Sequence, residues 1–86
     1  MRRGKRLNYA DESMIKEVAE LRKQGIKDFI CSTIADGKRL KPVMKHTAQG
    51  ISAYANSMYR KYGDVTMVEV GYFDDDLNWK TYCIYG

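Results

Sequence analysis

The side chains that could serve as nucleophile, general base or metal ligand are few in this chain of 86 residues. His46 is the only histidine, and catalysis by a single histidine needs a nucleophile and an orienting group beside it. Ser32 and Thr33 fall within a predicted strand, without a glycine motif that would present a nucleophile. Cys31 and Cys83 lack the Cys-x-x-Cys spacing of zinc sites. We therefore predict no catalytic residue, no metal site, no cofactor and no enzymatic activity.

The densest group of oxygen ligands is a run of three aspartates: Asp74, Asp75 and Asp76. Together with Asn78 this run reproduces the first half of a calcium-binding loop. Such a loop needs glycine at its sixth position and glutamate at its twelfth, where this chain has Trp79 and Tyr85. The run is therefore typical of a solvated hairpin tip. Its functional alternative is an acidic contact with lysines or arginines of a partner.

Positive charge is concentrated in two segments of the chain. Residues 1–9 contain no acidic side chain and four basic ones: Arg2, Arg3, Lys5 and Arg6. The remaining residues hold eleven basic and eleven acidic side chains, so the net charge of +4 comes from this N-terminal arm. The second segment, 38–46, carries a further basic set: Lys38, Arg39, Lys41 and Lys45. We predict that these residues bind phosphates or an acidic partner surface, with protection of an edge strand from stray pairing as the alternative.

Apolar periodicity and turn residues predict an α+β domain with the element order α-β-β-α-β-β. One helix is expected from about Asp11 to Gln24, ending at Gly25, and a second over residues 48–62, capped by Thr47. Strands are expected at 28–34, 39–46, 65–73 and 79–85, with a hairpin turn at Asp36-Gly37. Pro42 and its flanking lysines place the second strand at an edge. The predicted fold is one four-stranded antiparallel sheet in the order 2-1-3-4, with the helices mainly on one face.

Aromatic side chains are candidates for a contact surface. Tyr59 falls off the apolar stripe of the second helix, which predicts that it is exposed. Strict alternation in the last strand places Trp79 and Cys83 on one sheet face and Tyr82 on the other, and Gly71 is expected at a bulge or a close approach. The predicted interface aromatics are Tyr59, Tyr72, Trp79 and Tyr82. The alternative is that the first helix covers the second face.

The same features set the expected cellular setting and function. No apolar run is long enough to span a bilayer, and none follows the basic N-terminus as in a signal peptide. We therefore expect a cytoplasmic protein that makes no membrane contact, with a mobile arm over 1–9 and a single domain over 10–86.

The predicted function is a non-enzymatic binding module that occupies a surface of a larger protein or nucleoprotein. In its small size, single sheet and charged tips the domain resembles small phage or mobile-element inhibitors of host factors, such as anti-CRISPR proteins. This resemblance of style carries no residue roles. The alternative is a domain that binds DNA or RNA through the arm and the basic edge strand. A homodimer that pairs through the last strand is a third hypothesis.

Overall fold

The structure, a computed structural model, describes residues 2–3, 12–63 and 66–85. Within them the protein is α+β, with two helices and one sheet whose long strands are antiparallel. Neither helix is long and apolar enough to cross a membrane, and the described residues contain no other helix. In chain order the elements are β1 (Arg2–Arg3), α1 (Glu12–Lys23), β2 (Phe29–Ala35), β3 (Lys38–Arg39), β4 (Val43–Lys45), α2 (Ala48–Tyr62), β5 (Met67–Phe73) and β6 (Trp79–Tyr85).

The helix ends follow from their capping residues. The Thr47 hydroxyl accepts a hydrogen bond from the Gly50 amide at 3.0 Å, which satisfies one of the unpaired donors at the start of α2. Gly63 ends α2 with φ 84°, and Gly25 follows α1 with φ 99°, a region that glycine enters without a side-chain clash. The sequence predicted these ends correctly. Asp11, the expected cap of α1, lies outside the described residues.

The sheet has the strand order β1-β6-β5-β2-β3, and β4 also pairs with β2. The predicted sheet had four strands in the order 2-1-3-4, numbered as they were predicted along the chain. The observed sheet therefore differs from it in detail, in strand number and order. The returning strand is split into β3 and β4, because Ile34 pairs with Arg39 whereas Cys31 pairs with Val43. Between these two pairs the returning segment has one residue more than β2. The extra residue lies next to Pro42, which has no N–H to donate to the ladder.

The second difference is the short strand β1, which pairs in parallel with the end of β6, Arg2 opposite Ile84 and Arg3 opposite Tyr85. The other residues of the predicted arm, Lys5 and Arg6 among them, lie outside the described residues. The homodimer hypothesis assumed a free edge along the last strand, and β1 occupies that edge at residues 84–85.

Both helices pack against the same face of the sheet, which we call the helix face. Its fully buried side chains come from α1, α2 and all three long strands, and include Met14, Phe29, Ile51, Val70 and Tyr85. The buried Tyr85 hydroxyl donates to the Met14 sulfur at 3.6 Å, which ties the end of β6 to α1. The Thr33 hydroxyl and the Tyr54 hydroxyl lie 2.7 Å apart and link β2 to α2. The core therefore lies entirely between the helices and one side of the sheet.

A one-residue bulge in β6 changes which side chains reach that core. Val70 pairs with Cys83, but the next residue, Gly71, pairs with Thr81, so Tyr82 is an extra residue on β6. The prediction of strict alternation was therefore wrong: Trp79 and Thr81 lie on the face opposite Cys83 and Tyr85. Gly71 does lie at the bulge, as its position in the sequence predicted.

Candidate functional site

The second face of the sheet, which we call the open face, carries no helix of the described residues. Cross-strand pairing defines it: Ile30 is opposite Gly71 and Ser32 is opposite Glu69, while Glu69 is in turn opposite Ile84. Its side chains come from β2, β5, β6 and the edge strands: Ile30, Ser32, Ile34, Arg39, Met44, Met67, Glu69, Phe73, Trp79, Thr81 and Ile84. Most are apolar, which is unusual for a sheet face over which none of the described residues forms a second layer.

Three large apolar side chains of the open face are substantially exposed. Met44 exposes 52 % of its surface, Phe73 50 % and Trp79 40 %. They lie together at one end of the face, since Phe73 pairs with Trp79 and its ring meets the indole edge-on at 5.3 Å. Ile30 pairs with Met44 beside them. Exposed methionine and aromatic side chains in one patch are the composition of protein interaction surfaces.

A pocket of about 210 Å³ adjoins this end of the open face. Its sheet side is lined by Ile30, Met44 and Phe73, and the loop of residues 25–28 between α1 and β2 lines the other side. The apolar wall suits an apolar side chain of a partner, since hot-spot residues insert into such pockets.

The position of Trp79 is fixed by the glycine that it covers. A Cβ atom on Gly71 would lie 2.3 Å from Cζ2 of the indole and 2.6 Å from the Lys80 carbonyl oxygen. The six-membered ring of Trp79 therefore occupies the space of a side chain at position 71. Any larger residue there would have to displace the indole and the backbone of β6.

A short chain of hydrogen bonds connects Trp79 to a carboxylate in the middle of the open face. The indole Nε1 donates to the Thr81 hydroxyl at 3.2 Å, and that hydroxyl donates to Glu69 Oε2 at 2.9 Å. Glu69 is half-buried between Ser32 and Ile84 of the neighbouring strands. Glu69 and Thr81 were not predicted as site residues from the sequence, because only the register of β5 and β6 brings them beside Trp79.

The predicted interface tyrosines lie on the helix side instead. Tyr72 and Tyr82 are half-buried, and both rings pack edge-on against Phe29, at 5.9 and 6.2 Å. The Tyr82 hydroxyl donates to Glu17 of α1 at 2.5 Å. Tyr59 was expected to be exposed, which was wrong, because it is half-buried and packs against the core. Of the four predicted aromatics, only Trp79 lies on the open face.

The predicted basic residues of segment 38–46 do not form one patch. Arg39 pairs with Ile34 and lies on the open face, whereas Lys38 pairs with Ala35 on the helix side. Lys45 is also on the helix side, where its ammonium group lies 5.8 Å from the centre of the Tyr54 ring. Lys41 is exposed in the segment between β3 and β4. The strand pairing therefore places Arg39 on the opposite side of the sheet from Lys38 and Lys45.

The acidic tip is organised around its first residue. Asp74 Oδ1 accepts hydrogen bonds from the backbone amides of Asp76 and Asn78, both at 2.9 Å. These bonds close the hairpin loop, which agrees with the predicted turn. Asp75 and Asp76 are exposed and remain the acidic side chains that a partner could meet. In the described part of the chain, no three histidine, cysteine or acidic side chains are grouped so as to hold a metal ion.

His46 lies apart from every candidate nucleophile named above. Its Nδ1 is 3.2 Å from the Lys27 carbonyl oxygen and 3.1 Å from an Asp28 carboxylate oxygen. These contacts join the start of α2 to the loop before β2. Ser32 lies on the open face, and Thr33 is buried against Tyr54.

Both cysteines are buried on the helix face, with one strand between them. Cys31 pairs with Val70, which pairs with Cys83, so strand spacing separates their Cα atoms by about 10 Å, beyond disulfide reach. The pKa of the Cys31 thiol is raised to about 12, chiefly by burial and also by the neighbouring Cys83, while Lys45 partly opposes the rise. Cys31 is thus a core side chain, as the sequence predicted.

The cysteine thiols are expected to be unreactive in the native protein. The rise from 9.0 to about 12 lowers the Cys31 thiolate fraction at pH 8 roughly a thousandfold, and burial also blocks access. With Ellman's reagent at pH 8 we expect negligible release of the coloured product until guanidinium chloride is added, and then both thiols. Rapid reaction of the native protein would contradict this placement of Cys31 and Cys83.

Comparison with known protein families, with curated proteins and with solved structures finds no match to this chain.

Proposed function

We propose that this chain is a non-enzymatic binding module that covers a surface of a larger protein partner with its open face. The observation that carries the proposal is the group of exposed apolar side chains, Met44, Phe73 and Trp79, on a sheet face without a helix in the described residues. Covering such a group with a partner removes apolar surface from water, which is the main favourable contribution to protein association. In this mode of action the module would block the surface that it covers, as small phage inhibitors such as anti-CRISPR proteins do.

A nucleic-acid partner remains the alternative hypothesis. The division of Lys38, Arg39 and Lys45 between two sides of the sheet, and the Glu69 carboxylate within the open face, give phosphates no common surface there. The open face therefore favours a protein partner over a nucleic acid.

The test compares two glutamate substitutions on opposite sides of the molecule. Met44 and Ile15 are both apolar and exposed, at 52 % and 39 %, but Met44 is on the open face and Ile15 is on α1. A partner captured from lysate by the wild-type chain is purified and titrated with each variant by calorimetry. We expect Met44→Glu to weaken binding at least about tenfold, since it places a charge in a desolvated contact, and Ile15→Glu to leave affinity unchanged.

Two outcomes would contradict the proposal. Equal affinity of the Met44→Glu variant and the wild type would place the contact elsewhere on the molecule. Binding only to nucleic acid, with an affinity that falls steeply as salt rises, would support the alternative. Circular dichroism and thermal melting of both variants serve as the folding controls.

A further inference from the structure

We propose that Glu69 and Trp79 together form a binding site for a guanidinium group, the arginine side chain of a protein partner. The proposal rests on the proposed function, because it specifies what the open face recognises. A carboxylate and an aromatic ring side by side are the two groups that bind guanidinium best, by paired hydrogen bonds and by stacking.

The Glu69 carboxylate is already held in place in the unbound protein. Thr81 donates to Glu69 Oε2 and itself accepts from the Trp79 indole, so the acid and the ring are fixed relative to one another. Within the described part of the chain, the other oxygen, Oε1, accepts no hydrogen bond and forms no ion pair. Glu69 therefore retains an acceptor that no donor among the described residues uses.

The ring is fixed as well. The indole fills the space above Gly71, which lies two residues along β5 from Glu69 on the same face. The Phe73 ring packs edge-on against the indole. Two-fifths of the Trp79 surface remains exposed. A fixed ring loses little side-chain entropy on binding, which is why aromatic side chains serve as anchors.

The surroundings of Glu69 favour a partner that is a different protein over a second copy of this chain. If two copies of this chain stacked their open faces about a two-fold axis near β5, their Glu69 carboxylates would approach one another, and like charges there are unfavourable. A phosphate would be repelled in the same way. An arginine flanked by apolar residues complements both the carboxylate and its half-buried neighbours, Met67 and Ile84.

The experiment selects binders from a phage-displayed library of random 12-residue peptides on the immobilised full chain. We expect the peptides to be enriched in arginine flanked by apolar residues. The best peptide is then synthesised with arginine and with citrulline, its neutral analogue, and titrated by the fluorescence of the single tryptophan. Citrulline and the Glu69→Gln variant should each weaken binding by at least about tenfold, and their effects should not add, because both remove the same contact.

Glu20→Gln is the matched control, since Glu20 is an exposed glutamate on α1, beside the separate groove formed with Tyr72 and Tyr82. We expect it to bind the arginine peptide with wild-type affinity. Loss of affinity in Glu20→Gln but not in Glu69→Gln would place the arginine in that groove and overturn the proposal. Enrichment of lysine in place of arginine would overturn the guanidinium assignment.

The controls also separate this proposal from the proposed function. Peptides that lose affinity with Met44→Glu but show no arginine enrichment would overturn the guanidinium site and leave the open face as the binding surface. Selection that yields no peptide sensitive to Met44→Glu would count against both.

Discussion

Phe29→Ala is expected to lower the free energy of unfolding by about 3–5 kcal/mol, the usual cost of removing a fully buried phenylalanine. Phe29 has no exposed surface, and its ring supports those of Tyr72 and Tyr82. A domain of this size has a total stability of about 5–15 kcal/mol, so the variant should be largely unfolded in moderate urea. Urea denaturation followed by circular dichroism at 222 nm measures the loss.

The second phenylalanine provides the control, since the chain has only two. Phe73 is half exposed on the open face, so Phe73→Ala is expected to cost about 1 kcal/mol or less in stability. If the open face is the contact surface, the same variant should nevertheless weaken binding at least about tenfold. A loss of stability in Phe73→Ala equal to that in Phe29→Ala would mean that the open face belongs to the core.

Gly71→Ala is expected to lower stability by about 1–3 kcal/mol and to displace Trp79. Its added methyl would lie 2.3 Å from the indole and 2.6 Å from the Lys80 carbonyl oxygen, so both the ring and the strand must move. Because Trp79 is the only tryptophan, its fluorescence should shift to longer wavelength as the indole becomes more exposed. The affinity for a partner that binds the open face should also fall, because Trp79 is displaced.

Gly63→Ala separates displacement of the ring from a general loss of stability. Position 63 has open space around it but φ 84°, so alanine there costs roughly 1–3 kcal/mol through backbone strain alone. Its tryptophan emission should match the wild type. An unchanged emission maximum in Gly71→Ala, with stability intact, would contradict the packing of Trp79 over this glycine.

The elements that local chemistry specifies were predictable from the residues. Thr47 and Gly63 mark the ends of α2, because a hydroxyl satisfies the first amides and glycine alone enters positive φ without strain. Asp36 and Gly37 form the expected hairpin turn, with φ 52° and 74°. Each of these outcomes depends on groups within a few residues of one another.

The faces of β6 were decided by the tertiary structure. A bulge of one residue exchanges the two sides of a strand, because side chains alternate with a period of two. Tyr82 is the extra residue. Its ring packs against Phe29 and its hydroxyl donates to Glu17, and both of these partners are distant in the sequence. This shift leaves Trp79 and Thr81 facing away from the helices, and no pattern within β6 predicts it.

The amino-acid sequence by itself therefore determined the α+β class, both ends of α2, the C-terminal end of α1 and the Asp36-Gly37 turn, since short-range hydrogen bonds and backbone preferences set them. Only the tertiary structure decided that Trp79 lies over Gly71 beside Glu69, on a face without a helix in the described residues. The physical reason is that strand register depends on the packing of side chains that are distant in the chain, and the register assigns every residue of a strand to one face or the other.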